Sequence, residues 1–380
     1  MIKNLSLHHY PYNSRRTAMH ARNGMVATST PLAAEAGKKV LSAGGNAVDA
    51  AIVTAAALTV SEPTSNGIGG DAFAIVWMKK ELHGLNASGK APGNASVRAL
   101  KEKGYDTMPR FGFEPVTVPG VPSAWAALSE RFGVLPLEAV LAPAIALAEE
   151  GFPVSPTVAE GWRGAFKGYK RILKAPMHEA FFKTFTKDGE TPGAGELFRL
   201  PDHAKTLREL ADTQCASFYR GDIAEKIDAF SKAHDGFLRK EDLEKHSVEW
   251  VTPLSVNYRG VDVYELPPNT QGMVALEALG ILENFDGGTL DDMDALHRQI
   301  EALKLAFADG KRYIADHDHM TIHEGHLLDP DTLRKRSKEI TDEACDPKPF
   351  AFKDHGTVYL ATADKDGNMV SYIQSNYMGF

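Results

Sequence analysis

HGTVYLATADKDGN, residues 355–368, lies near the end of the chain and decides the fold. Val358–Ala363 and Met369–Ser375 predict two strands, because apolar and β-branched residues run on either side of a polar stretch. The Asp-Lys-Asp-Gly-Asn between them supplies the residues of a hairpin turn. If the turn is centred in that stretch, Ser375 lies opposite Thr357, and two hydroxyl residues meet at the base of the hairpin.

A second informative region lies near the start of the chain. AGGNAVDAA at residues 43–51 leads through an alanine-rich segment to EPTSNGIGGDAF at residues 62–73. Residues 49–59 predict a largely apolar helix that is covered on most sides, and residues 73–77 predict a buried strand. The glycine run lacks the lysine and hydroxyl residue of a phosphate-binding loop, so we expect close backbone packing there instead.

Three more blocks follow in order: VPGVP at 118–122, LPPNTQG at 266–272 and ILENFD at 281–286. With the hairpin and the glycine run, they make the chain similar to the γ-glutamyltranspeptidase family of N-terminal-nucleophile hydrolases. Several ordered blocks are far more specific than one glycine-rich loop. The resemblance implies an α+β fold, a four-layer αββα sandwich with two stacked sheets between helical layers.

The resemblance also implies one interwoven domain that is cut into two subunits. Residues 1–356 would belong to the large subunit, and residues 357–380 would begin the small subunit. Relatives carry further strands and the oxyanion-hole glycines beyond the residue that matches Phe380. We therefore expect much of the small subunit, and a large part of the active site, to lie outside this stretch.

Gly356 and Thr357 form the cleavage site that the family pattern implies. The threonine hydroxyl attacks the glycine carbonyl, and hydrolysis of the resulting ester frees the α-amine. That amine has a pKa of about 7.7–8.0 in model peptides, so it can act as a base near neutral pH. Thr357 is thus the expected nucleophile, and Ser375 matches a hydroxyl residue that hydrogen-bonds it in the family.

Recognition of the acyl group departs from the family pattern at two places. A gapless match puts Ser88 where γ-glutamyltranspeptidases hold the substrate α-carboxylate with an arginine, and Lys90 lies two residues further on. Lysine supplies a cation but lacks the planar fork of arginine. At the position of the family's substrate-binding asparagine stands Tyr377, with Asn376 one residue earlier, on the opposite face unless a bulge intervenes.

We therefore predict a self-processing threonine-nucleophile enzyme that transfers acyl groups from amides to water or to an amine. γ-Glutamyl amides such as glutathione are the leading substrate class. Ser88 favours the alternative, an acylase acting on cephalosporin-type, glutaryl or other N-acyl amides. A third alternative is an uncleaved homologue that only binds a ligand. The expected partners are the small-molecule amide, the acceptor and the chain's own small subunit.

Composition excludes several other classes of function. The net charge of −8 does not favour nucleic-acid binding. Residues 1–25 hold no apolar run of signal-peptide length, and no run of about 18 apolar residues predicts a membrane span. With two cysteines, which cannot form a disulfide framework, these features predict a cytoplasmic protein without a membrane partner.

Two other patterns occur in the second half of the chain. Four histidines at 317, 319, 323 and 326 lie near two aspartates, but their spacing fits no tight zinc template, and the family needs neither a metal nor another cofactor. No metal site is therefore predicted. Apolar residues at helical spacing predict a core-facing stripe, made of Leu296, Ile300, Leu303 and Phe307.

Overall fold

The computed structural model describes residues 19–288, 292–345 and 357–376. Gly356 and Tyr377 lie outside the described residues, and of Thr357 only the backbone is described. The described residues form two compact units. The larger unit comprises residues 22–250 and 357–376, and the smaller one comprises the rest.

The larger unit combines a sheet with many helices. Its first elements are β1 (Gly24–Thr28), α1 (Pro31–Ser42), α2 (Ala47–Ser61), β2 (Asp71–Met78), β3 (Glu81–Ala87), α3 (Val97–Glu102), α4 (Val121–Phe132), α5 (Leu137–Glu150), β4 (Phe152–Pro153) and α6 (Pro156–Ile172). A 3₁₀ turn at Pro176–His178 precedes α7 (Glu179–Thr184), β5 (Leu197–Phe198), α8 (Pro201–Asp212), α9 (Ala216–Arg220), α10 (Asp222–Ala233), α11 (Lys240–Glu244) and β6 (Glu249–Val251).

The smaller unit is mainly helical and carries one two-stranded sheet. Its elements are β7 (Leu254–Tyr258), β8 (Val261–Glu265), α12 (Gly272–Leu282), α13 (Met293–Tyr313), a 3₁₀ turn at His317–His319, α14 (Glu324–Leu327) and α15 (Pro330–Ser337). The chain then returns to the larger unit with β9 (Thr357–Asp364) and β10 (Met369–Ser375). None of the described helices is long and apolar enough to cross a lipid bilayer.

The larger unit is organised around a six-stranded sheet in the order β1-β9-β10-β2-β3-β6. The predicted hairpin is its centre, because β9 and β10 pair antiparallel and β10 pairs again with β2. The ladder sets Ser375 opposite Thr357, which confirms the register predicted from the sequence. Residues more than 330 positions apart in the sequence, on β1 and β9, also become neighbours, starting with Gly24 opposite Asp364.

The two faces of this sheet differ in burial. Side chains of Val358, Leu360, Val370 and Tyr372 are at most 2% exposed, and they face the layer that contains α2. The other face, which we call the open face, bears large apolar side chains that remain 38–53% exposed among the described residues: Met25, Trp77, Tyr359, Met369 and Ile373. The buried strand predicted at 73–77 is therefore only half buried, since β2 alternates between the two faces.

Helix α2 fills the space under the sheet. All fifteen of its residues are buried, and its many alanines let strands and helices approach it closely. It begins two residues before the predicted helix, because Asn46 accepts hydrogen bonds from the amides of Val48 and Asp49 and forms a capping box with the Asp49 carboxylate. The Thr362 hydroxyl donates to the Ala47 carbonyl at 2.6 Å and ties β9 to the helix start.

The apolar stripe predicted in α13 does not face a core. Its four residues are 41–49% exposed. The buried side of α13 carries Glu301, Ala302, Ala306 and Gly310 instead, mostly small residues that allow close packing against α12. Periodicity located the helix correctly, but the close approach of α12 selects the small-residue face and leaves the larger apolar side chains exposed.

A chain of buried hydrogen bonds connects α4 with β10. The Trp125 indole N–H donates to the Tyr372 hydroxyl at 3.1 Å, and that hydroxyl donates to Oε1 of Gln374 at 3.1 Å. All three side chains are at most 1% exposed, so a lost partner cannot be replaced by water at the surface.

Removing the Tyr372 hydroxyl tests how much these buried hydrogen bonds contribute to stability. Tyr372→Phe leaves the Trp125 N–H and the Gln374 carbonyl without their partner, and we expect the free energy of unfolding to fall by about 1–3 kcal/mol. Urea unfolding measures the change. Tyr359→Phe is the matched control, because its hydroxyl meets Ser371 on the exposed face of the same hairpin, and the expected change is within about 0.5 kcal/mol. Equal effects of the two substitutions would contradict this account.

Candidate active site

The backbone register gathers polar residues in one row at the edge of the open face. Ser375 pairs with Thr357 on one side and with Asp71 on the other. Ala72 pairs with Ala87, so the same register continued by one residue places Ser88 across from Asp71. We call these four positions, Thr357, Ser375, Asp71 and Ser88, the polar row. Three hydroxyl residues and one acid thus lie on adjacent strands about 5 Å apart.

Gly70 brings the glycine run against the end of β10. A Cβ atom on this residue would lie 2.0 Å from the Ser375 carbonyl oxygen, so only glycine fits there. Gly67 and Gly69 have no atom within 4 Å of such a Cβ atom and no positive φ. Close backbone packing therefore explains one glycine of the run and leaves the other two without a steric reason among the described residues.

The VPGVP block forms a turn that packs on the same site. The Gly70 carbonyl accepts hydrogen bonds from the amides of Gly120 and Val121 at 2.8 and 3.1 Å. A Cβ atom on Gly120 would lie 1.7 Å from the Ala87 carbonyl oxygen, at the end of β3. Two blocks that are some fifty residues apart in the sequence are thus joined directly, beside the polar row.

Side chains from the helical layer hold this turn in place. The Tyr219 hydroxyl donates to the Pro119 carbonyl at 2.8 Å and accepts from the Ser123 amide at 3.0 Å. The Ser123 hydroxyl donates to the Gly120 carbonyl at 2.7 Å. Nε2 of His246 lies 2.8 Å from the same hydroxyl oxygen. Burial and the nearby Arg220 lower the pKa of His246, so the imidazole is neutral at neutral pH.

A buried amide pair fixes the loop that carries the glycine run. Nε2 of Gln374, the residue before Ser375, donates to Oδ1 of Asn66 at 2.8 Å and to the Ala55 carbonyl at 3.0 Å. Nδ2 of Asn66 donates to the carbonyls of Leu58 and Glu62 at 3.1 and 2.9 Å. Because these bonds are made away from water, they hold the loop, α2 and β10 in one arrangement.

Asp71 is the charged member of the polar row. Its residue is partly exposed at the start of β2, on the open face of the sheet. Burial raises the pKa of its carboxyl group, and a hydrogen bond from its own backbone amide only partly offsets that effect. Asp71, Asn66 and Gln374 were not predicted as site residues from the sequence, although the first two lie within residues 62–73, one of the blocks that resemble the family.

Ser88 is held by a local hydrogen-bonding pattern just after β3. Oδ1 of Asn86 accepts from the Ser88 amide at 2.9 Å and from the Ser88 hydroxyl at 2.7 Å. Lys90 has an exposed side chain, while its carbonyl accepts from the Val118 amide at 3.0 Å. Among the described residues the Lys90 ammonium group has no ion pair, and both residues remain candidates for binding the acyl group.

Asn376 follows directly after β10. The ladder with β9 and β2 is regular up to Ser375, so no bulge shifts the register before that point. Oδ1 of Asn376 is buried and has no hydrogen-bond donor among the described residues, which leaves one acceptor available beside the polar row. Its role, and those of Thr357 and Ser375, remain predictions, while Gly356 and Tyr377 lie outside the described residues.

The histidine-rich segment makes local contacts in the smaller unit. Nδ1 of His323 accepts from the Gly325 amide at 3.1 Å, and Nε2 of His317 lies 3.6 Å from the Glu324 carboxylate. In the part of the chain that the structure describes, no group of three histidine, cysteine or acidic side chains is arranged to hold a metal ion.

The contrast between neighbouring glycines gives a direct test of the site geometry. Gly70→Ala places a methyl group against the Ser375 carbonyl, so we expect a loss of about 1–3 kcal/mol in stability and slower amide turnover. Gly69→Ala meets no atom within 4 Å and should change stability by less than about 0.5 kcal/mol. Urea unfolding and amide hydrolysis measure both variants. Wild-type behaviour of Gly70→Ala would contradict the close approach.

Comparisons with known proteins identify the family. The family model for γ-glutamyltranspeptidase matches residues 33–380. The glutathione hydrolase-like YwrD proenzyme of Bacillus subtilis is 34% identical over 363 residues, which cover 94% of this chain and 67% of that protein. The chain thus spans about two thirds of the length of this relative.

Solved structures agree in fold. The cephalosporin acylase of Bacillus halodurans superposes with a TM-score of 0.93 and 53% identity over 99% of this chain and 69% of its own. The γ-glutamyltranspeptidase of Helicobacter pylori gives a TM-score of 0.80 at 31% identity, over 87% of this chain and 95% of its own. These matches confirm the predicted fold class and the predicted class of enzyme, which includes glutathione hydrolases and acylases. The chain belongs to the γ-glutamyltranspeptidase family.

Proposed function

We propose that the chain carries the self-cleavage site and the nucleophile of a threonine amidohydrolase that transfers acyl groups from amides. The observation that carries the proposal is the pairing of Thr357 with Ser375 at the edge of the open face. Gly70 and the VPGVP turn pack around this pair through backbone contacts, which gives the reacting residues a rigid support.

Self-cleavage begins when the Thr357 hydroxyl attacks the Gly356 carbonyl carbon. The peptide C–N bond breaks as the ester C–O bond forms, and the proton lost by the hydroxyl ends on the freed amine. Water then hydrolyses the ester, so that Gly356 leaves as a carboxylate and Thr357 gains a free α-amine. Glycine suits this position because it tolerates the strained backbone that the attack requires.

The same hydroxyl then performs the acyl transfer. The α-amine accepts the hydroxyl proton while the oxygen attacks the donor amide, and the amine of the donor leaves with that proton. Water or an acceptor amine attacks the acyl ester and regenerates the threonine. A hydrogen bond from Ser375, which lies opposite in the ladder, would orient the nucleophile during both steps.

Two donor classes remain, γ-glutamyl amides and other N-acyl amides. γ-Glutamyl amides are supported by the glutathione hydrolase-like relative. Other N-acyl amides are supported by the cephalosporin acylase match and by Ser88, whose neutral hydroxyl stands where the family pattern has a carboxylate-binding arginine. Both classes require the same nucleophile, so the proposed mechanism does not depend on the choice.

Replacement of the nucleophile tests the mechanism. The full-length Thr357→Ala variant should stay as one polypeptide and lose amide turnover by a factor of at least 10³, because no hydroxyl remains to attack either carbonyl. Intact mass spectrometry after incubation at neutral pH reports cleavage, with two fragments expected for the wild type. Thr357→Ser is the conservative control and should retain measurable cleavage.

Turnover by Thr357→Ala would overturn the proposed nucleophile. An uncut wild-type protein would favour a homologue that binds a ligand without processing.

Replacement of Ser88 separates the two donor classes. Ser88→Arg adds a cation suited to a carboxylate, and it should raise the preference for γ-glutamyl-p-nitroanilide over 4-aminobutyryl-p-nitroanilide about tenfold. These donors differ only in the α-carboxylate. Ser88→Gln, which adds length without charge, is the control. An unchanged preference in a folded, processed Ser88→Arg variant would show that another group already binds the carboxylate.

A further inference from the structure

Asp71 lies one strand beyond Ser375, on the side away from Thr357. The ladder pairs Asp71 with Ser375 directly, and Ser375 in turn pairs with Thr357. Asp71, Phe73 and Ile75 alternate with fully buried residues, so the Asp71 side chain belongs to the open face of the sheet. An acyl group that extends from Thr357 across Ser375 would therefore reach the Asp71 carboxylate.

The Asp71 carboxylate lacks a cationic partner within the described ranges. The ion pairs of these residues include other acids of the larger unit, such as Glu114 and Asp228, but not Asp71. The carboxylate accepts a hydrogen bond from its own backbone amide, and burial raises the pKa of the carboxyl group because the charged form loses part of its contact with water. A cation from a ligand would supply the missing compensation.

We infer that Asp71 is a specificity-determining residue, which favours amide donors whose acyl group carries an ammonium group and disfavours acyl groups that carry a carboxylate at the same place. This inference rests on the proposed function, because the acyl group is placed by its bond to Thr357. The proposed mechanism is the same for any charge on the acyl group, and this inference specifies which charge the enzyme prefers.

Distances across the sheet define the length of the acyl group. Two strand spacings, about 10 Å, separate the backbones of Thr357 and Asp71. An ammonium group four bonds from the reacting carbonyl reaches about 5 Å from it, since each bond is about 1.5 Å long. A hydrogen bond adds about 3 Å, and the Asp71 side chain spans the rest of the distance between the two backbones. 4-Aminobutyryl and γ-glutamyl groups both have this length.

A carboxylate in the same place meets a different environment. It would lie beside the Asp71 charge, and the other described neighbours in the polar row, Ser375 and Ser88, are uncharged. Like charges a few ångströms apart repel each other strongly where water is partly excluded. A glutaryl group has the same chain length as 4-aminobutyryl but ends in a carboxylate, so the two form a matched pair of opposite charge.

The experiment compares kcat/KM for three p-nitroanilides, 4-aminobutyryl, γ-glutamyl and glutaryl, with the full-length self-processed protein. We expect the wild type to prefer 4-aminobutyryl over glutaryl at least tenfold, as for one charge-assisted hydrogen bond. Asp71→Asn keeps the shape and removes the charge, and it should lower this ratio by a factor of about 10 to 100. The ratio cancels any common loss of nucleophile activity.

Glu81→Gln is the matched control. It removes one negative charge at the far end of β3, from a side chain that is 77% exposed, and should leave the ratio unchanged. A processed, active Asp71→Asn enzyme with the wild-type ratio would overturn the role of Asp71 and leave the proposed function intact. If that variant fails to fold, the wild-type ratio decides, and a ratio of one or less overturns the inference. An uncut wild type without turnover of any donor would overturn the proposed function itself.

Discussion

The main-chain pairing of β10 between β9 and β2 is the constraint on which the rest of the larger unit depends. A central strand has no water available for its amides and carbonyls, so both of its edges must be paired along their length. Once that pairing is made, Ser375 has Thr357 and Asp71 as its neighbours, and the alternation of side chains assigns each residue to a face. A shift by one residue would exchange the two faces, burying Ile373 and exposing Tyr372.

Packing beneath the sheet makes that register unique. Helix α2 is buried along its whole length and offers mostly small side chains, which would tolerate several strand positions by shape alone. Directional bonds remove this freedom, since Gln374 must meet Asn66 and Ala55 while Tyr372 must meet Trp125. The same bonds extend to the loop with Gly70, so packing in the core and geometry at the polar row are coupled.

Local sequence patterns predicted the structure best where a single physical rule, such as the geometry of a hairpin turn, decides it. The hairpin turn fixed the pairing of Ser375 with Thr357. Predictions of burial were weaker where packing against another helix or strand decides which face is buried. The stripe in α13 is exposed because α12 packs against the small residues of the other face. The strand around Phe73 is half buried because its side chains alternate between a buried face and a face that the described residues leave partly exposed.

By itself, the sequence determined the family, the fold class and the hairpin, because these follow from short stretches with strict local chemistry, and it predicted Gly356 and Thr357 as the cleavage site. Only the tertiary structure decided that Asp71 and Ser88 join the same row, and that Gly70 must be glycine while Gly69 need not be. These facts depend on distances between strands and loops that are far apart along the chain. No local pattern encodes such distances, since they result from the packing of the whole sheet on α2.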